Sequence, residues 1–239
     1  WLYSKSDEIY TSSRLFEEYF TETLGLNNKT KYLPVYAEEL FEGMDNVKRE
    51  GKNINLVFAG NIGKMQSVET IIEAANKLRE YDNIKFHIVG DGSSKQNCES
   101  LAKNYGLNNV IFHGQHPIES MPEFYKMADA FLITLKENKI ISYTLPNKVQ
   151  SYLAAGKPII GAIDGETNYV ISEAQCGYCT TSENAEGLAD CIVQFATNLN
   201  LHDSMGENAR KFYEENFSKK IYFERLVQML NQTEIRSGK

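Results

Sequence analysis

Leu56-Val57-Phe58-Ala59-Gly60-Asn61-Ile62-Gly63-Lys64-Met65-Gln66-Ser67 runs from four apolar residues through two glycines into Val68, Ile71, Ile72, Ala75 and Leu78, which recur at helical spacing. A second apolar run, Ile84 to Val89, follows. Two strand-length runs joined by an amphipathic helix make a βαβ unit, since parallel strands need a crossover between them. The alternation continues downstream through the face Cys98, Leu101, Ala102, Tyr105, the run Val110 to His113, a helix around Pro122 to Met127 and the apolar run Ala130 to Leu135. Then come a helix from Lys148 to Ala155 stopped by Gly156, a strand from Pro158 to Ala162, a short helix from Tyr169 to Ala174 and a short strand from Tyr178 to Thr180. The fold class that follows is α/β, a doubly wound, Rossmann-like parallel sheet.

The ends differ from this middle. Residues 1–50 offer a strand-like Glu8 to Thr11, a helix from about Leu15 to Leu24 ended by Gly25, and Tyr32-Leu33-Pro34-Val35 before an acidic stretch up to Gly51. They read as one αβ piece without a sheet of its own. Residues 204–231 carry long helical patterns, Ala209, Phe212 and Tyr213, then Ile221, Phe223, Leu226, Met229 and Leu230. The expected division is 1–50, 51–203 and 204–239.

The chain's 239 residues are 42% hydrophobic and 24% charged, which is enough apolar material for a real core. No run nears the length of a membrane-spanning helix. A net charge of −7 with interspersed signs argues against a nucleic-acid partner, whose phosphates demand a basic face. Cys98, Cys176, Cys179 and Cys191 are too scattered for a disulfide framework, and Cys176-x-x-Cys179 lacks a second ligand pair for zinc, so no metal is expected. A reduced, cytoplasmic chain fits this cysteine usage. Trp1 opens the sequence without an initiator methionine, a basic segment or a cleavable apolar segment, so it is expected to begin inside a longer protein.

Open parallel sheets bind ligands beyond the carboxyl ends of their strands, which directs attention to the loops there. Gly60 to Ser67 combines glycines for close backbone approach, a helix N-terminus and the cation Lys64, and so reads as a phosphate cradle or a plain strand-to-helix turn. It is neither the dinucleotide G-x-G-x-x-G nor a Walker A loop. Gly90-Asp91-Gly92 and Gly114-Gln115-His116-Pro117 could set backbone groups against a planar base or serve only as turns, and His116 alone reads as a loop residue. A polar loop, Ser142 to Pro146, turns at Asn147-Lys148 into the small-residue helix that ends at Gly156.

Gly60 to Ser67, Gly90-Asp91-Gly92, the stretch from Pro146 through Leu153-Ala154-Ala155-Gly156-Lys157-Pro158-Ile159-Ile160, and Ala174-Gln175-Cys176-Gly177 resemble retaining glycosyltransferase family 4, with its GT-B fold, over nearly the whole chain. The resemblance implies the C-terminal, donor-binding half of a GT-B enzyme, with residues 1–50 the end of the N-terminal acceptor domain and the last helices bracing that domain. Within the family it resembles enzymes of capsule, O-antigen and exopolysaccharide assembly, including FucNAc transferases. Expected partners are therefore a UDP-sugar donor, N-acetylated or deoxy, and a lipid-linked oligosaccharide acceptor. Peripheral contact with the inner face of the cytoplasmic membrane, through the upstream domain, is a further implication. No cofactor or metal is implied.

Carried onto this sequence, the donor contacts fall on Gly60, Asn61, Ile62, Gly63, Gln66, Gly90, Asp91, Gly92, His116, Tyr143, Thr144, Leu145, Pro146 and Ser151. Departures are informative. The family's diphosphate-binding Arg and Lys are replaced by Asn61 and Gln66, so the phosphate role passes to Lys64, with Lys148 as a second cation. The family's paired carboxylates would fall on Tyr143 and Ser151, leaving Glu166 as the nearest carboxylate for a donor sugar. Those losses keep a second reading open, a non-catalytic module that holds a nucleotide sugar.

Overall fold

A computed structural model describes residues 2–26, 29–44 and 53–237, so the end of the acidic stretch and the boundary expected at 50/51 lie outside the described residues. The first part contains α1 (Leu2–Lys5), β1 (Ile9–Thr11), α2 (Arg14–Glu18) and β2 (Thr30–Tyr32). Contrary to the sequence expectation it has a sheet, because β1 and β2 pair in parallel with Ile9 opposite Thr30 and Thr11 opposite Tyr32. β2 ends at Tyr32, since Leu33 N–H makes a last bond to Thr11 O (2.8 Å) and Pro34 has no N–H to offer. The expected helix from Leu15 to Leu24 is shorter too. α2 ends at Glu18 and widens into a π turn over Tyr19–Thr23, where the Thr21 hydroxyl donates to Glu17 O and Glu18 O, both at 3.0 Å, and competes for carbonyls of the ladder.

The central sheet is built from β3 (Ile54–Ala59), α3 (Val68–Lys77), β4 (Ile84–Val89), α4 (Lys95–Asn104), β5 (Val110–Gly114), α5 (Met121–Met127) and β6 (Ala130–Thr134). It is completed by α6 (Lys139–Ser142), α7 (Asn147–Ala154), β7 (Ile159–Ala162), α8 (Gly165–Glu173), β8 (Gly177–Thr180) and α9 (Ala185–Thr197). α10 (His202–Asn216) and α11 (Lys219–Ser237) close the chain. All six strands are parallel, in the order β5-β4-β3-β6-β7-β8, as the strand-helix alternation predicts.

Strand side chains alternate between two cores, one on each face. Leu56 and Phe58 pack with Ile71, Ile72, Leu188 and Ile192, while Val57 and Phe131 pack with Tyr152, Leu153 and Tyr213. Each such fully buried large side chain contributes roughly 1.5–3 kcal/mol. α9 is absent from the sequence reading although its signal is there: Asn184 accepts from Gly187 N (2.9 Å) as an N-cap, and Ala185, Leu188, Ala189, Ile192 and Phe195 form a buried stripe. α8 starts at Gly165, four residues before the expected Tyr169.

Candidate functional site

Strand order reverses between β3 and β6, so the crevice of this sheet lies where the loops after these two strands part. The loop after β3 is locked to the loop after β4 by backbone bonds: Gly60 N–H to Val89 O (2.9 Å), Ile62 N–H to Asp91 O (2.8 Å) and Ser94 N–H to Ile62 O (2.9 Å). Glycine is obligatory at Gly90, whose φ is +141° and whose Cβ would stand 1.9 Å from Gly60 O. Tyr152 fixes the end of β3 from α7, since Ala59 N–H donates to its hydroxyl (3.0 Å) and the hydroxyl donates to Ala59 O (3.1 Å).

Lys148, at the start of α7, reaches this junction. Its Nζ donates to Gln66 Oε1 (2.7 Å), lies 4.1 Å from the centre of the Phe58 ring, and would stand 3.1 Å from a Cβ at Gly60. The residue is only half-buried by area, but its ammonium is deep. Burial, with no charged group contributing among the described residues, lowers its pKa from 10.5 to about 7. Lys64 lies on the one-turn helix Lys64–Gln66 that supplies Lys148's partner; it is exposed and makes no bond among the described residues. Thus the loop bearing one lysine meets the side chain of the other.

Beside this junction, at the ends of β3, β4 and β5, opens a cavity of about 550 Å³. Gly60, Asn61, Gly90, Asp91, Gln115 and His116 give it polar edges, and the side chains of Phe41, Met121 and Tyr125 give it an apolar wall. Such a mixed cleft suits a flat heterocycle with a polar tail. His116 is exposed and held by its Nε2 against His113 O (3.2 Å), with its ring edge-on to Phe124.

A family model described as "Glycosyl transferases group 1" matches residues 42–212, which span β3 to most of α10 and hence the whole crevice. The chain belongs to the group 1 glycosyl transferases. It is 30% identical over 168 residues to the N-acetyl-alpha-D-glucosaminyl L-malate synthase of Bacillus anthracis, covering 70% of this chain and 42% of that one. A glycosyltransferase from Rickettsia africae superposes with a TM-score of 0.80 at 15% identity over 95% of this chain and 63% of the other, and an Anabaena protein in complex with UDP and glucose with 0.78 at 14% over 95% and 64%. These likenesses show the GT-B Rossmann-like fold. The chain spans less than two thirds of the length of the relatives it matches, 31%, 60% and 42% for three of them.

Within this group 1 chain several expected donor contacts have other employment. Glu166 is 1% exposed and its carboxylate is engaged: it accepts from Arg14 N (3.1 Å) and Leu15 N (3.3 Å) and faces the Arg14 guanidinium (3.7 Å), closing the N-terminus of α2. Ile62 is fully buried, with N–H and C=O spent on Asp91 and Ser94. Leu145 is a core residue at 4% exposure. Gly92 is consumed by loop packing, since a Cβ there would lie 2.6 Å from Ile62 O. Gly63 packs on the Asn61 amide, 2.8 Å from a Cβ at that position. Tyr143 turns its ring to Phe16 and Tyr19, and its carbonyl accepts from Ser13 Oγ.

Thr144 donates to Ile141 O (2.7 Å), Pro146 precedes α7 as its N-cap, and Ser151 donates to Asn147 O (3.4 Å). Gly60, Asn61, Gly90, Asp91 and His116 line the cavity. Sequence reasoning passed over Phe41 and Tyr125, which stack at 4.3 Å in its wall, and Thr134 and Tyr152, which hold Gln66 O and Ala59 O in the loop and strand beside it. Thr134 did carry a signal, as the one hydroxyl in the apolar run Ala130 to Leu135.

Proposed function

We propose that this chain is the donor-holding part of a retaining, family 4-type glycosyltransferase that moves a sugar from a UDP-sugar to a growing surface polysaccharide. The observation that carries this reading is the Lys148 ammonium at the switch point of the sheet, held by the neutral Gln66 amide and desolvated, with no carboxylate against it among the described residues. An unpaired buried cation calls for an anion, and the leaving diphosphate of a nucleotide sugar supplies one. The Gly60 to Gln66 loop and Lys64 stand on the same side, and the cavity next to them accommodates a uracil-sized ring. The Anabaena neighbour's UDP supports a UDP-linked donor, and the N-acetylglucosaminyl group in the Bacillus relative's name supports an N-acetylated sugar within the N-acetylated or deoxy class.

Charge builds on the diphosphate as the glycosidic bond breaks, so Lys148 and Lys64 act by stabilising the leaving group; no cofactor or metal has a part in this proposal. Losing the main phosphate cation is expected to cost ~2–4 kcal/mol of transition-state stabilisation. The acceptor, a lipid-linked oligosaccharide, approaches from the side of residues 2–44, at the inner face of the cytoplasmic membrane. A second reading, a module that binds the nucleotide sugar without transfer, is favoured by Tyr143 and Ser151 in place of carboxylates and by the engagement of the Glu166 carboxylate with Arg14 and Leu15.

Calorimetry with UDP, GDP and NAD tests donor class: UDP should bind tightest, and a preference for NAD overturns the proposal. Transfer from radiolabelled UDP-sugars by the longest natural form of the protein separates enzyme from binder. Saturable binding with no transfer selects the binder.

A further inference from the structure

Thr134 is fully buried at the end of β6, and a buried hydroxyl is costly unless bonded. Its Oγ1 donates to Gln66 O (2.5 Å). A second bond from the same strand end, Lys136 N–H to Met65 O (3.0 Å), ties the one-turn helix down at the next residue, and Gln66 N–H closes that turn on Gly63 O (2.9 Å). The turn then exits through Ser67, a non-glycine residue in the left-handed region (φ 47°, ψ 44°), buried and bonded to Thr70 Oγ1 (3.0 Å). Such strain persists only where the surroundings over-determine it. What the bracing fixes is the side chain of Gln66, whose Oε1 takes the Lys148 ammonium.

We propose that Thr134 and Gln66 are positioning residues: Thr134 anchors the turn, and the neutral Gln66 amide aims the Lys148 ammonium at the space beside Gly60 without cancelling its charge. The proposal rests on the reading of Lys148 as the phosphate partner. A carboxylate at position 66 would hold the lysine as well, but it would neutralise it against an anion. An amide orients one N–H of the three and leaves the others free. Lys64, on the same turn, is exposed and makes no pair with it. The residue that departs from the family pattern at 66 thereby acquires a role: the cation has moved from the turn to α7, and the turn keeps its aim.

UDP affinity measured by calorimetry from pH 6 to pH 9, with the Lys148 side chain followed by heteronuclear NMR, tests this in the chain as it stands. The wild-type chain should bind UDP evenly below pH 7 and lose up to about tenfold in affinity per pH unit above it, as the free lysine deprotonates. Gln66→Glu should raise the lysine's titration midpoint by a unit or more and weaken UDP roughly tenfold at pH 6.5. Thr134→Val should weaken UDP several-fold and move the midpoint, with Thr134→Ser restoring both. Gln66→Met, at a partly exposed position, covers the case in which Thr134→Val fails to fold. Unchanged UDP affinity and lysine titration in Gln66→Met and Gln66→Glu overturn the proposal. If the wild-type chain ignores UDP while Gln66→Glu still shifts the lysine, the phosphate reading falls and the positioning contact stands.

Discussion

The Lys148 ammonium is destabilised by burial, and the sign of its effect on stability follows. Its folded pKa, about 7, lies below the usual 10.5, so between these values the unfolded chain binds more protons and stability rises with pH. The slope from this one group is at most about 1.4 kcal/mol per pH unit. Lys148→Met should therefore stabilise the chain at pH 7 and flatten its pH dependence relative to wild type, read from urea unfolding at pH 7 and pH 9; an equal slope in both removes burial as the cause. Gly90 offers a second test. With a Cβ placed 1.9 Å from Gly60 O and φ at +141°, Gly90→Ala must push the two loops apart. A loss of about 3 kcal/mol or more, together with lost UDP binding, is expected by thermal unfolding and calorimetry. Gly25→Ala has the strained φ of +67° but nothing within 4 Å, so it should cost only about 1–2 kcal/mol and leave binding intact.

At the scale of elements, α7 joins the cation to the sheet. Tyr152 stacks flat on Phe131 at 3.9 Å and satisfies both backbone groups of Ala59 with one hydroxyl. Tyr152→Phe keeps the stack and strands those groups, so a cost of about 1–3 kcal/mol is expected from denaturant unfolding, with weaker UDP binding because Gly60 follows directly. No change in either would mean that water replaces the hydroxyl. α2 answers differently. Glu166→Gln should speed amide exchange at Arg14 and Leu15, which its carboxylate holds, and leave UDP affinity within about twofold of wild type, the ordinary size of a remote change. A large loss of UDP affinity would return Glu166 to the donor site.

Across the whole molecule, the sheet and its helices form one packed body, while α11 lies on its flank with Phe223, Val227 and Leu230 exposed. Among the described residues it is tied to the early segment by Tyr222 against Tyr36 (5.2 Å) and by Lys219 paired to Glu39, and to α10 by Arg225 Nη1 donating to Asn216 O (3.2 Å). Ending the chain after Ser218 should therefore leave amide protection in Leu56 to Ala59 unchanged and loosen Tyr36 to Phe41, whose Phe41 lines the cavity wall. Lost protection in β3 would show that α11 is part of the core. Arg210 limits the damage, since it holds Met44 O (2.5 Å) and Ala155 O (3.3 Å) from α10.

The sequence by itself determined the six-stranded parallel sheet, because period and run length of apolar residues are local quantities that burial on both faces writes directly into β3, β4 and β6. It also pointed to the loops beyond the carboxyl ends of the strands, since a sheet of this kind has only one edge where its crossovers part. Tertiary structure alone decided which side chains enter the crevice. Glu166 is polar and follows a strand end like a ligand, yet the N-terminus of α2, more than 150 positions away in sequence, claims its carboxylate. Lys64 and Lys148 look alike as sequence, yet only one ammonium is desolvated, because Phe58, Gly60 and Gln66 from other elements close round it. Contacts of that range depend on how loops pack after the sheet has formed, and nothing in local spacing records them.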